Sequence, residues 1–147
     1  MFVKEILHRK GHEIKTVAPG EALEYCAAHM KLEGVGALVV CEADKALKGV
    51  ISERDIVRAI VDYGPRALKM KASDFMDTHP VTCAPGDTIA SVAKRMTQGR
   101  VRHTPVCEDG AIVGVVSIGD IVKERFEELD LERETLRDLA AMHSVAG

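Results

Sequence analysis

The sequence predicts an α/β fold of the α+β type, in which two copies of a helix–strand–strand–helix unit pack together with pseudo-twofold symmetry. The main observation is an internal repeat. T-V-A-P-G-E-A-L at residues 16–23 aligns with T-C-A-P-G-D-T-I at 82–89, and G-V-I-S-E-R-D-I-V at 49–57 aligns with G-V-V-S-I-G-D-I-V at 114–122. Each copy also contains two apolar runs around a polar turn, which is typical of a β-hairpin. Apolar residues on both sides of each hairpin recur at helical spacing.

The composition is that of a globular protein. The 147 residues are 46% hydrophobic, which is sufficient for a packed core. The formal net charge of -3 offers no basic surface to phosphates, and an aromatic content of 3% offers few platforms for stacked bases. Nucleic acid is therefore not expected as a partner.

The first helix of each copy follows an Ala-Pro-Gly-acid turn, which places an acidic residue at the helix start. Short strands are predicted before these turns, at residues 14–17 and 81–82. Helical spacing is seen in the first copy at Ala22, Tyr25, Cys26, His29 and Met30, and in the second copy at Ile89, Val92, Ala93 and Met96.

A β-hairpin and a second helix complete each copy. The second helices are predicted at residues 53–63 and at 118 to about 129, because the serine of each glycine-led segment is a favoured residue at a helix start. The hairpin strands are predicted at residues 37–41 and 49–51 in the first copy, and at 104–107 and 112–116 in the second.

The repeat also sets the predicted boundaries. Each copy has about 60 residues and a marginal core of its own, so we expect the two to pack face to face. A lead-in segment precedes each copy, E-I-L at 5–7 and D-F-M at 74–76, and an additional R-K-G-H follows the first. Irregular leucine spacing in the charged tail favours an appendage or dimer arm over a coiled coil. The predicted units are residues 3–63 (first repeat), 64–73 (connector), 74–129 (second repeat) and 130–147 (helical tail).

Two Ser–Asp pairs are the candidate functional residues. The first pair is Ser52 and Asp55, and the second is Ser117 and Asp120. A serine followed by an acid three residues later is the capping box of a helix, which is one explanation. The other is ligand binding, since both pairs use Asp where the capping box prefers Glu, and both follow a glycine that would let a ligand approach. A carboxylate there suits a ribose diol, which donates two hydrogen bonds.

A phosphate attached to such a ribose requires cations near the Ser–Asp pairs. The alternative for each basic residue is an ordinary solvated charge. The candidates are Lys15 and Arg54 for the first pair, and Arg100, Arg102 and His103 for the second.

The doubled motif, together with R-V-R-H-T-P-V at residues 100–106, resembles the tandem cystathionine-β-synthase (CBS) domain pair, or Bateman module. The resemblance covers residues 3–129 and is greatest to stand-alone prokaryotic CBS-pair proteins. It implies a regulatory sensor that binds an adenosine-containing ligand between the repeats, with AMP expected first and ADP, ATP, NAD(H) or S-adenosylmethionine as further candidates.

The resemblance also implies individual contacts. Both Ser–Asp pairs correspond to ribose contacts, and Arg54 corresponds to a phosphate or ribose neighbour. The equivalent of Arg54 in the second copy is Gly119, so we expect two sites of unequal affinity or ligand preference. Residues at strand starts that would cradle the base are Thr16, Val17, Thr82 and Cys83, and those of the following strands are Gly36, Ala37, Leu38, His103, Thr104 and Pro105.

The remaining expectations concern chemistry and context. No motif of a nucleophile, metal site or phosphate-binding loop is present, so we expect neither an enzyme nor a catalytic cofactor. The four cysteines lack C-x-x-C spacing and no apolar run approaches about 20 residues, which favours the cytoplasm and no membrane partner. The resemblance implies a homodimer that signals to an unidentified protein. The alternative is a structural dimerisation module without a physiological ligand.

Overall fold

The computed structural model describes residues 1–146, and their side chains up to residue 143. The order of helices and strands follows the internal repeat, which confirms the α+β fold. The helices are α1 (Val3–Lys10), α2 (Leu23–Glu33), α3 (Glu53–Tyr63), a 3-10 helix (Gly64–Lys69), α4 (Ala72–Phe75), α5 (Ile89–Gly99) and α6 (Ile118–Ala146). The strands are β1 (Thr16–Val17), β2 (Ala37–Cys41), β3 (Leu47–Ser52), β4 (His103–Glu108) and β5 (Ala111–Ser117).

Both predicted hairpins are confirmed, but the two sheets differ at one edge. β2 pairs antiparallel with β3, β4 with β5, and β1 adds a parallel strand to β2 only. In the second repeat the predicted strand at residues 81–82 is wrong, and Cys83 makes a single bridge to Val106. Val39 N donates to Lys15 O at 3.1 Å in the first repeat. The equivalent of Val39 is Pro105, which has no N–H to donate, so the second parallel pairing cannot extend.

Each repeat has its own core, and each core also contains residues of a helix from outside its own sequence repeat. The first core contains Ala72, the first residue of α4. Phe75 and Met76 of the following lead-in also pack against it, although that lead-in belongs in sequence to the second copy. The second core contains α1, through Val3, Ile6 and Leu7, which belong in sequence to the first repeat. The predicted domain boundaries follow the sequence repeat and stay a prediction. The two packed cores do not follow them, because each core includes the lead-in helix of the other repeat.

The exchange is held by backbone hydrogen bonds to the Ala-Pro-Gly-acid turns. The first amides of a helix have no partner within the helix. Here the turn carbonyls accept them, so each turn docks a lead-in helix as well as starting its own. The bonds are Val3 N to Asp87 O (3.0 Å), Lys4 N to Pro85 O (3.0 Å), Ala72 N to Glu21 O (2.8 Å) and Ser73 N to Pro19 O (2.9 Å).

The glycine that begins each G-V-(I/V)-S segment lies under the exchanged lead-in. A Cβ on Gly49 would lie 2.5 Å from Asp77 O, and one on Gly114 would lie 2.6 Å from Leu7 Cδ2. Val50 and Asp77 exchange two backbone hydrogen bonds, of 3.0 and 2.9 Å, at the first of these crossings. These glycines therefore make room for the protein's own chain, and the expectation that they leave room for a ligand is wrong.

The helix α6 runs without a break from the second repeat into the tail. Ile121 and Glu124 are buried, whereas residues 129–143 are all exposed. Neither Gly nor Pro occurs between residues 120 and 146, so nothing in the sequence ends the helix. Arg9 Nη1 ties α1 to Glu124 Oε1 at 2.6 Å. None of the helices in residues 1–146 combines the length and apolar character that crossing a bilayer requires.

Thr104 is a polar residue in the second core. It is fully buried, and its Oγ1 has no hydrogen-bond partner among the described residues. Its equivalent in the first repeat is Leu38, which belongs to the first core. A buried hydroxyl without a partner costs free energy because it has lost its water.

Gly49→Ala should lower the free energy of unfolding by about 1–3 kcal/mol, since the new Cβ meets a backbone oxygen that cannot move away. Gly114→Ala should cost less, because the end of the Leu7 side chain can rotate. Gly20→Ala is the control, as a Cβ there meets nothing within 4 Å. Urea denaturation measures all three variants, and equal stability of the Gly49 and Gly20 variants would contradict the explanation.

Thr104→Val should raise the free energy of unfolding by about 1 kcal/mol, because valine keeps the shape and removes the unpaired hydroxyl. Thr97→Val is the control, since the exposed Thr97 Oγ1 donates to Ala93 O at 2.9 Å. Thermal denaturation of both variants tests this, and a Thr104 variant no more stable than the wild type would count against it.

Candidate ligand-binding site

Both Ser–Asp pairs form complete capping boxes. Ser52 N donates to Asp55 Oδ2 at 2.8 Å, and Asp55 N donates to Ser52 Oγ at 3.3 Å. In the second pair Ser117 N donates to Asp120 Oδ2 at 2.8 Å, and Asp120 N donates to Ser117 Oγ at 3.1 Å. The shorter side chain of Asp thus closes the reciprocal bond, and the argument that Asp disfavours capping is wrong. Capping uses one oxygen of each carboxylate.

The first Ser–Asp pair lies in the wall of a cavity of about 770 Å³, the larger cavity. This volume is in the range of small-molecule sites. Residues of both repeats line it, with α3 and β3 on one side and the start of β4 on the other. The side chain of Asp55 is 13% exposed there. The expected site residues that the structure brings together in this cavity are Gly36, Ala37, Ser52, Arg54, Asp55, Arg102 and His103.

The larger cavity is rich in guanidinium groups. Arg54, Arg58, Arg100 and Arg102 all line it. Arg58 Nη1 lies 3.8 Å from Asp55 Oδ1, which is too long for a hydrogen bond. The acidic residues on the wall are Glu53, Asp55 and Asp77. The wall therefore combines three carboxylates, two of them at the start of α3, with four guanidinium groups, an arrangement that suits a ligand with both hydroxyl groups and negative charge.

Two further cavities occur among the described residues. One, of about 710 Å³, is lined mainly by α2 and α3, and the other, the smaller cavity of about 320 Å³, lies beside Ser117, between the two hairpins. Its cation Lys15 is already paired with Glu13, and with Glu33 Oε2 at 2.9 Å. The expected site residues that line the smaller cavity are Lys15, Ala37, Leu38, His103, Pro105 and Ser117.

Asp120 has a cation that the sequence analysis did not assign. Lys10 Nζ donates to Asp120 Oδ2 at 2.7 Å and to Val115 O at 3.1 Å. Burial by itself would raise the pKa of the Asp120 carboxyl, but the hydrogen bonds from Lys10 and Ser117 outweigh it and hold that pKa below its ordinary value. Lys10 lies in the additional R-K-G-H segment. This insertion was the feature of the sequence that could have indicated Lys10 as a partner of the second pair.

The cations are distributed differently from the expectation. Arg100 and Arg102, assigned to the second pair, line the cavity of the first, whereas Lys15, assigned to the first pair, lines the cavity beside Ser117. The reason is that face-to-face packing brings the strand start of one repeat against the helix start of the other. His103 lines both cavities. Burial, followed by the nearby Lys10 ammonium, lowers the pKa of His103, so its imidazole is neutral at pH 7 and supplies no charge.

Several residues that were expected to contact a ligand line neither the larger nor the smaller cavity. Val17 and Cys83 belong to the two cores, and burial raises the pKa of the Cys83 thiol to about 12. The carbonyl of Thr82 accepts a hydrogen bond from Arg95 Nη1 at 2.8 Å. The expected residues outside both cavities are Thr16, Val17, Thr82, Cys83, Thr104 and Asp120. Their roles as ligand contacts remain predictions.

Comparison with known proteins shows the family of the chain. The family model of the CBS domain matches residues 3–62 and 72–127. The CBS domain-containing protein CBSX3, mitochondrial, of Arabidopsis thaliana is 37% identical over 116 residues, which are 76% of this chain and 55% of the plant protein. The chain thus spans little more than half of that relative.

Solved structures give the same result. The crystal structure of the CBS-domain containing protein ATU1752 from Agrobacterium tumefaciens has a TM-score of 0.80 and 38% identity, and covers 85% of this chain and 99% of its own. The CBS domain pair of protein MJ0100, in complex with 5′-methylthioadenosine and S-adenosyl-L-methionine, has a TM-score of 0.74 at 21% identity and covers 87% and 98% of the two chains. At that identity the likeness shows the fold alone. The chain therefore belongs to the CBS-domain family and carries two of these regulatory domains in tandem.

Proposed function

We propose that this chain is a sensor that binds an adenosine-containing ligand in the larger cavity, AMP in the first place and otherwise ADP, ATP, NAD(H) or S-adenosylmethionine. The observation that carries the proposal is the carboxylate of Asp55 on the cavity wall. Oδ2 is occupied by the capping box, whereas Oδ1 accepts no hydrogen bond among the described residues. A largely buried, charged oxygen is thus available to a ligand.

The chemistry of this oxygen favours a vicinal diol. A ribose hydroxyl that donates to a carboxylate contributes about 1.5–3 kcal/mol, roughly twice a neutral hydrogen bond. An anion placed directly on the carboxylate would be repelled, so a phosphate would lie toward Arg54, Arg58 and Arg102. The complex of MJ0100 with two adenosine compounds supports this ligand class for a chain of the same fold.

The second Ser–Asp pair should bind the same ligand more weakly. Asp120 already holds the Lys10 ammonium at 2.7 Å, and this bond would have to rearrange when a diol binds. The neighbouring cavity is also less than half as large as the first. We therefore expect the two sites to differ in affinity for two reasons. Lys10 is paired with Asp120, and the second repeat has Gly119 where the first has Arg54.

Signalling would proceed by population shift. A ligand in the larger cavity contacts both repeats, so it stabilises arrangements in which their faces are close. A protein partner would read the resulting surface. The proposal includes no enzymatic activity. It places the chain in the cytoplasm, which is supported by four cysteines that are all free thiols.

Asp55→Asn should abolish most stabilisation by AMP, whereas Asp120→Asn should leave most of it. The asparagine keeps the size of the side chain but loses the charge that strengthens the ribose bonds. A thermal-shift titration with AMP, ADP, ATP, NAD(H) and S-adenosylmethionine measures the response, because a ligand of the native state raises the melting temperature by mass action. Equal losses in the two variants would contradict the inequality of the sites, and no response of the wild type to any of the five compounds would overturn the sensor proposal.

A structural dimerisation module is the second candidate, and exposed apolar rows on two helices favour it. On α3 the row consists of Val57 and Val61, which are 59% and 77% exposed. The equivalent row on α6 contains Val122 and Phe126, which are 45% and 65% exposed. Two helices with matching rows suit a homodimer in which copies of this surface bury one another.

The charged variants Val61→Glu and Phe126→Glu should convert the homodimer to a monomer without unfolding it, because both side chains are exposed in the single chain. Light scattering coupled to size exclusion measures the mass. Leu32→Glu is the control, since Leu32 is 82% exposed on α2 and lies outside both rows. A wild type that is monomeric at all concentrations would contradict the dimer, and a dimer without any nucleotide response would favour the structural role.

A further inference from the structure

Arg100 has a backbone conformation that glycine normally provides. It follows α5 with φ 54 and ψ 42, in the left-handed region. The equivalent residue after α2 in the first repeat is Gly34, with φ 67 and ψ 34. A side chain with a Cβ is destabilised in this region, whereas glycine is not. The second repeat therefore carries a conformational cost that the first repeat avoids.

The fold does not require an arginine at this position. The amide of Arg100 caps the helix by bonding to Met96 O and Thr97 O, just as the amide of Gly34 bonds to Met30 O and Lys31 O. Glycine would make the same bonds. The guanidinium of Arg100 forms no ion pair and no hydrogen bond with the described side chains. Arg100 is instead one of the residues that line the larger cavity.

The larger and the smaller cavity differ in the unpaired positive charge that they offer to a ligand. In the smaller cavity Lys10 is paired with Asp120 and Lys15 with Glu33, so little positive charge is left for a ligand. In the larger cavity Arg54, Arg100 and Arg102 have no ion pair among the described residues. Guanidinium groups bind phosphate oxygens in bidentate geometry, which makes them suited to an anionic ligand.

We propose that Arg100 is an anion-binding residue of the larger cavity, which makes this cavity select a phosphorylated adenosine compound over adenosine itself. The inference rests on the proposed function and adds the charge of the ligand to it. On this proposal the left-handed conformation of Arg100 is unfavourable, but it places a cation at the end of α5, where the helix reaches the cavity.

The experiment is calorimetric titration of the full chain with AMP and with adenosine. Arg100→Gly should weaken AMP binding about tenfold or more, the effect of one lost charge-assisted hydrogen bond, and leave adenosine binding unchanged. Its melting temperature without ligand should equal or exceed that of the wild type, because the left-handed cost is removed. Arg100→Gln keeps this cost and loses only the charge, so it should weaken AMP binding equally without gaining stability.

Lys45→Gly is the matched control. Lys45 also has a positive φ, of 61, but it lies in the β2–β3 turn and lines neither cavity. It should gain stability and bind AMP like the wild type. Wild-type AMP affinity in both Arg100 variants, or an equal loss for AMP and adenosine, would overturn the role of Arg100 while the sensor function stands. A wild type that binds neither compound would overturn the selection of AMP, and the sensor function would fall with it only if ADP, ATP, NAD(H) and S-adenosylmethionine also failed to bind.

Discussion

The structure depends on the crossing of each lead-in segment over the hairpin of the other repeat. At the first crossing, Gly49 leaves so little room that a Cβ would lie 2.5 Å from a backbone oxygen, and Gly114 has the same role at the second. The Ala-Pro-Gly-acid turns then hold the lead-in helices by their first amides. Because each core needs a helix from outside its own sequence repeat, neither repeat is complete without the other.

This crossing explains why the candidate site is composite. The faces of the two repeats are brought together with helix starts against strand starts, so the carboxylate of the first Ser–Asp pair meets cations of the second repeat. The same arrangement delivers Lys10, from the end of α1, to Asp120. The two sites are thus related by sequence but differ in charge. Asp55 Oδ1 has only a long ion pair with Arg58, of 3.8 Å, whereas Asp120 Oδ2 is paired with Lys10 at 2.7 Å.

Capping and ligand binding are compatible at the Ser–Asp pairs. A carboxylate has two oxygens, and the capping box occupies only Oδ2 of Asp55. The cap also fixes the side chain in one orientation, so a ligand would not have to pay for ordering it. The stability of α3 and the geometry of the site therefore rest on the same residue, which is why a substitution there requires separate measurements of melting and of binding.

The sequence by itself determined the repeat, the hairpins, the capped helices and the identity of the Ser–Asp pairs, because these depend on local periodicity and on turn chemistry that act over a few residues. It could not determine which repeat each lead-in helix joins, nor that Lys10 reaches Asp120 across 110 positions. It also did not reveal that Pro105 shortens the parallel pairing, although the missing N–H is visible once the partner strand is known. Those features depend on contacts between distant segments, and only the tertiary structure decided them.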